Sequence, residues 1–256
     1  MNIWETVKDA LRYPFSDWKK ILILGFMGLL VNFIMELAHI LGSTLSLYII
    51  ISVLGFLIGF LILGYGFRII KSSLKGTAEL PKFNSWAGMF KDGIKVYIVH
   101  FVYLIPIILS LLIFSGSIKG ITSPGGLQIF ATYSEEVIRA IISGKINASV
   151  EWILISIAIL YLIIIIPIQY IAIANMANNN KLSAAFRFSK ILNKISNIGL
   201  KNIIAFYIII IIPFVILNHE ISGPYRLIVA VVIALITGPY FIMYLSRLVA
   251  LFYMSE

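Results

Sequence analysis

Residues 46 to 70 read SLYIIISVLGFLIGFLILGYGFRII, and no charged side chain appears before Arg68. A helix rises 1.5 Å per residue, so about 20 apolar residues cross the ~30 Å hydrocarbon core of a bilayer. This stretch alone is long enough. In hydrocarbon every backbone N–H and C=O needs a partner, and a helix supplies those partners within one segment. A barrel strand would instead alternate polar and apolar residues over about ten positions, which this run does not do. It reads as a membrane-spanning helix.

Five further apolar runs lie outward from it, at 20 to 42, 94 to 114, 150 to 174, 200 to 217 and 226 to 252. Composition points the same way: 61% of the 256 residues are hydrophobic and 12% are charged, where a soluble domain carries about 25% charged residues. Mean hydropathy is +1.02. The expected fold is all-α, a polytopic membrane bundle of six transmembrane helices forming a single integral membrane domain over residues 1 to 256. The first apolar run begins near Ile21 and is followed by more runs, not by a small-residue cleavage site, so the chain is expected to stay uncleaved. With no cysteine, disulfides and thiolate chemistry are excluded.

A formal charge of +9 could suggest a nucleic-acid partner, but the cations flank apolar runs. Lys119, Arg139, Lys145 and Arg226 fall on one side of the predicted membrane, and the other sixteen of the twenty basic residues fall on the opposite side. Short loops rich in Lys and Arg stay in the cytoplasm. Both termini are therefore expected inside a plasma membrane, with anionic headgroups of the cytoplasmic leaflet as partners and no nucleic acid. A protein partner or a homo-oligomer is equally compatible with the sequence.

Interfacial amphipathic helices are expected in three places. Between Leu182 and Ile195, apolar Leu182, Ala185, Phe186, Ile191, Leu192 and Ile195 alternate with Arg187, Lys190 and Lys194 at helical spacing. Such a helix lies flat on anionic lipid, so Lys181, Arg187, Lys190 and Lys194 become candidate headgroup contacts. Ile3, Trp4, Val7 and Leu11 form a second stripe, followed by Tyr13, Pro14, Phe15 and Trp18 as aromatic anchors. Leu127, Phe130, Val137, Ile138 and Ile141 form a third on the outer side. Asn147, Ala148, Ser149 matches a glycosylation acceptor, a match that close to a span being read as chance.

Weak internal repetition suggests three helical hairpins, at about 1 to 70, 75 to 175 and 181 to 252. Gly93, Ile94, Lys95 matches Gly199, Leu200, Lys201, with Pro106 and Pro213 following at nearly equal depth. Tyr65, Tyr170 and Tyr240 recur late in the even-numbered spans, and Trp18, Lys19, Lys20 is a fainter third copy of the opening motif.

The stretch between the second and third runs is the most distinctive: Gly64, Tyr65 and Arg68, then Leu74, Gly76, Glu79, Leu80, Pro81, Phe83, Trp86, Phe90, Asp92, Gly93 and Lys95. Its pattern, G-Y-x-x-R, then L-x-G, E-L-P-x-F-x-x-W and F-x-D-G-x-K, resembles the domain-of-unknown-function 4013 family of archaeal and bacterial multi-span membrane proteins. The resemblance implies a multi-span topology. It implies no activity and no catalytic residue. Read for itself, Pro81 biases Leu80 to an extended conformation and stops a helix. A folded re-entry element should follow, with Trp86, Met89 and Phe90 against lipid or span ends and Lys91 and Asp92 toward water.

Ionisable residues inside spans are costly and are the default functional candidates. Asn32, Glu36 and His39 share one face of the first span, and His100 lies in the third between Tyr97 and Tyr103. They could form a proton or cation site, with Glu151, His219 or Glu220 as partners at neighbouring span ends. A polar pair reaching the interface or bonding between helices is the plainer reading. Glu36 and His39 match half of a Glu-x-x-His di-iron arrangement, but the second half and an H-E-x-x-H are absent, so no metal or other cofactor is expected. Proline kinks at Pro106, Pro167, Pro213 and Pro239 would free carbonyls, as in transporters, yet such kinks are ordinary in membrane helices. There is no G-x-S-x-G elbow and no glycine-rich phosphate loop. The sequence favours a non-enzymatic membrane scaffold or lipid-interacting module, with a secondary transporter or channel for a proton or small solute as the rival.

Overall fold

The computed structural model of the chain describes residues 3–41, 45–114, 150–217 and 231–255. Helix α1 (Ile3–Arg12) and a 3-10 turn (Tyr13–Ser16) lead into α2 (Trp18–Leu41). α3 (Leu45–Leu74) and α4 (Trp86–Phe114) follow, and then α5 (Val150–Asn179). A second 3-10 turn (Leu182–Phe186) precedes α6 (Phe188–Ile198) and α7 (Leu200–Leu217), and a π turn (Ile233–Thr237) runs into α8 (Gly238–Met254). No strand occurs among the described residues.

Five of these stretches are long and apolar enough to cross a bilayer: Trp18–Leu41, Ser46–Leu74, Trp86–Leu109, Ile159–Asn179 and Ile233–Met254. The run expected at 200 to 217 is α7, a helix of 18 residues. Large apolar side chains face outward, including Phe26 and Phe33 on α2, Phe56 on α3, Phe101 on α4 and Leu160 on α5. Exposed apolar surface on that scale suits lipid and not water. The chain is an all-helical integral membrane protein. The outer stripe at 127 to 141, Asn147, His219 and Glu220 lie outside the described residues, as does the side chain of Glu151.

Helices α3, α5 and α8 pack against one another at the centre, and α2 and α4 flank α3. α7 enters through Phe206, whose ring sits between Tyr170 of α5 and Phe252 of α8, at 6.0 Å and 5.0 Å. Glycine decides the tightest contacts. A Cβ on Gly64 would collide with the Met89 carbonyl, and one on Gly93 with the Phe60 carbonyl, so α3 and α4 touch backbone to backbone. A third contact joins α2 to the π turn. Pro239 has no N–H to offer the Leu235 carbonyl four residues back, and a Cβ on Gly25 would collide with that carbonyl, so α2 meets the turn backbone to backbone.

Three details differ from the sequence reading. The third span was expected to open at 94, yet α4 starts at Trp86, just as α2 starts at Trp18, each three residues after a phenylalanine, Phe83 or Phe15. Helical structure thus includes the charged turn Lys91 to Lys95, because Asp92 and Lys95 pair within it at 3.2 Å. Second, 182 to 195 is not one flat helix. Ala184 and Ala185 are fully buried, which pulls the first half into the bundle as a 3-10 turn and leaves α6 to begin after Arg187. Third, Gly93 and Gly199 match in sequence but differ in backbone. Gly93 lies inside α4 for close packing, whereas Gly199 adopts φ +82° at the break between α6 and α7.

Candidate functional site

Residues 75 to 85 have no helix or strand of their own, so their carbonyls need donors from elsewhere. α3 ends first. Gly76, at φ +79°, lets its own N–H reach the Ser73 carbonyl at 2.9 Å and the Thr77 N–H reach Ser72 at 3.1 Å. That pair of bonds closes a helix on a left-handed residue, which is why the L-x-G motif needs glycine there.

Beyond Gly76 the loop is held by side chains arriving from four elements. Arg247 of α8 donates to the Thr77 carbonyl at 2.9 Å, Tyr13 to Glu79 at 3.0 Å and Lys20 of α2 to Leu80 at 2.8 Å. Tyr65 of α3 donates to Pro81 at 3.1 Å. Arg68 donates to the Asn84 carbonyl and, at 2.8 Å, to Ser85. Stacking adds to this: the Tyr65 and Phe83 rings lie 4.1 Å apart and 7° from parallel, with Trp86 next at 6.0 Å. The family-pattern residues Gly64, Tyr65, Arg68, Leu80, Pro81, Phe83, Trp86, Asp92 and Gly93 are therefore one locked junction. Leu80 and Met89 are buried in it, so Met89 faces α3 and not lipid. Asp92, expected toward water, is mostly covered and sits between Lys71 at 3.6 Å and Lys95 at 3.2 Å.

Arg247 is the residue that the sequence reading did not single out. It is only 7% exposed, binds Asp9 through both Nε and Nη2 at 2.9 Å, and stacks 4.9 Å over the Tyr13 ring. A cation within an apolar run must find a partner, and that cost was the available signal. Burial pushes the Tyr13 hydroxyl up from its ordinary pKa. Asp17, which opens α2 by accepting the Lys19 N–H at 3.1 Å, is held below the usual carboxylate range by its hydrogen bond from Lys20.

The second buried turn is held by the same device. Tyr103 donates to the Ala185 carbonyl at 2.7 Å, Asn175 to Ala184 at 2.7 Å, and Tyr253 to the Asn175 side chain at 2.9 Å. Lys181, Arg187 and Lys190 remain exposed beside it, and Lys194 lies 5.3 Å over the Tyr253 ring. Tyr240 donates to the Leu11 carbonyl at 2.8 Å, tying α8 to α1.

Among the described residues, Asn32, Glu36 and His100 are not brought together. Asn32 bonds its own helix at the Gly28 carbonyl, 3.1 Å away, and Glu36 and His39 are exposed on α2. His100, half-buried on α4, has its carbonyl 3.3 Å from the Gln169 amide nitrogen. Among the described residues, no hydrogen bond or ion pair joins Glu36 to His100, and no group of three or more His, Cys, Asp or Glu side chains is placed to hold a metal.

A cleft of about 240 Å³ opens beside the junction, lined by Arg68, Lys71, Ser72, Lys75, Thr77, Pro81, Lys82 and Asn84. Among comparisons with known proteins, no curated protein and no solved structure matches the chain. A family model, "Protein of unknown function (DUF4013)", matches residues 47–246 and so takes in the whole junction from Gly64 to Lys95, the second buried turn and α8 as far as Ser246. With that share of its length matched, this chain belongs to the DUF4013 family.

Proposed function

We propose that the protein is a non-enzymatic membrane module of the plasma membrane whose basic end sits in the anionic cytoplasmic leaflet, organising lipids or offering a platform to a protein partner. One observation carries this reading. α1 and α6 each bury one face, at Val7 and Ala10 and at Ile191 and Ile198, while leaving Trp4, Leu11, Phe188 and Leu192 exposed beside Lys8 and Lys190. Apolar and basic groups exposed on the same short helix suit the boundary between headgroups and acyl chains. The sixteen cations assigned to this side by loop charge give the same orientation, with both termini inside.

The test uses the whole protein in nanodiscs with and without an anionic diester lipid. Lys190→Glu with Lys194→Glu should reduce anionic lipid retained through purification, and salt should reduce it further. Unchanged retention would overturn the reading. So would proton or solute flux through liposomes that Glu36→Gln abolishes.

A further inference from the structure

We propose that the cleft between the end of α3 and the 77 to 84 loop is a binding site for a phosphate group, held by Arg68, Lys71, Lys75 and Lys82. These four cations line a single cleft and, among the described residues, no carboxylate does. The carboxylate paired with this group is Asp92, which reaches Lys71 from outside the lining and is shared with Lys95, so the remaining like charges repel one another and an anion relieves the arrangement. The scaffold places Arg68 before any ligand arrives. Arg68 is aimed by the Asn84 and Ser85 groups, and these bonds leave its Nε–H and one Nη2 hydrogen uncommitted. Lys71 is only loosely paired, 3.6 Å from an Asp92 that Lys95 approaches more closely, at 3.2 Å.

A plainer account is that cations gather where a helix ends in carbonyls. It covers Lys71 and Lys75 near the end of α3. It does not cover Lys82, which arrives from the loop, or Arg68, whose partners are loop groups and not the α3 carbonyls. A fork-shaped guanidinium with ammonium groups around it matches a tetrahedral, multiply charged oxyanion better than a single carboxylate. Basic pockets at the ends of membrane helices lie at headgroup depth. The same chemistry would serve a phosphomonoester headgroup or a soluble phosphomonoester. Only the headgroup source rests on the orientation proposed above.

The full-length protein in uncharged detergent is titrated with dioleoyl phosphatidic acid, with glycerol 3-phosphate and with inorganic phosphate, following tryptophan fluorescence. Dioleoyl phosphatidylglycerol, a diester, is the charge control. Lys75→Gln with Lys82→Gln removes two exposed lining cations that hold no loop carbonyl. Lys190→Gln with Lys194→Gln removes two elsewhere. Saturable binding of at least one monoester, weakened about tenfold or more by the first pair and much less by the second, is expected. Loss confined to phosphatidic acid identifies a headgroup site, and equal loss for glycerol 3-phosphate identifies a soluble ligand. No saturable binding, or equal weakening by both pairs, overturns the proposal. If only the second pair matters, and only for anionic lipid in general, the interfacial reading stands and the cleft site fails.

Discussion

Arg247 and Asp9, 238 residues apart in the chain, meet at 2.9 Å, and the arginine is buried while the aspartate is half-exposed. The pair joins the last helix to the first. Because the same guanidinium also holds the Thr77 carbonyl, three separate parts of the chain depend on one side chain.

Asp9→Asn leaves a mostly buried guanidinium short of its counter-charge, which should cost about 1–3 kcal/mol, discounted toward the low end because Asp9 faces solvent. Arg247→Met removes the charge but orphans the Thr77 carbonyl. The two changes share a partner, so their combined effect on thermal unfolding in detergent should fall well short of their sum. Strict additivity would show that the two residues do not act as a pair.

Gly64→Ala and Gly93→Ala each drive a methyl group into a neighbouring carbonyl, where no flexible side chain can yield. Each should destabilise by more than about 2 kcal/mol or abolish folding. Gly59→Ala, on α3 with Gly64 and with nothing within 4 Å, serves as the control and should be neutral. Detergent-solubilised yield and unfolding temperature separate the two outcomes.

Tyr65→Phe keeps the stack on Phe83 but loses the hydrogen bond to Pro81, at a cost of about 1 kcal/mol. Tyr65→Ala loses both and should cost about 3–5 kcal/mol. Protease sensitivity between Lys75 and Lys82 should rise in the same order. Equal cleavage in the two variants would mean that the ring contributes nothing to holding the loop.

Asp17 and Tyr13 set opposite limbs of the stability profile. The Asp17 pKa is lowered on folding, so its contribution is complete above the unfolded value near 3.8 and is lost as pH falls through the folded one. The Tyr13 pKa is raised, so its contribution is complete below 10.0 and is lost as pH rises through the folded value. Asp17→Asn should flatten the acid limb alone, and Tyr13→Phe the alkaline limb alone, in unfolding temperature measured against pH.

Apolar length and the motif residues are local signals, and they located the long helices and the stretch from Gly64 to Lys95. What escaped them is non-local. Nothing near Thr77 or Leu80 in sequence reveals that Arg247 and Lys20 bind their carbonyls. The split after Phe186 escaped for a related reason: its helical periodicity is real, but burial of Ala184 and Ala185 under Asn175 and Tyr103 overrides it. Glu36 drew attention as a charge in a greasy helix, yet it lies exposed on α2, and among the described residues no hydrogen bond or ion pair joins it to His100.

The wide turn Ile233–Thr237 works as an angular adjuster. One surplus residue in a helix rotates everything downstream by roughly 100° relative to an uninterrupted winding. Tyr240, Met243 and Arg247 owe their compass headings to that offset, so removing a single amino acid upstream would swing the guanidinium away from Asp9 without touching either of them.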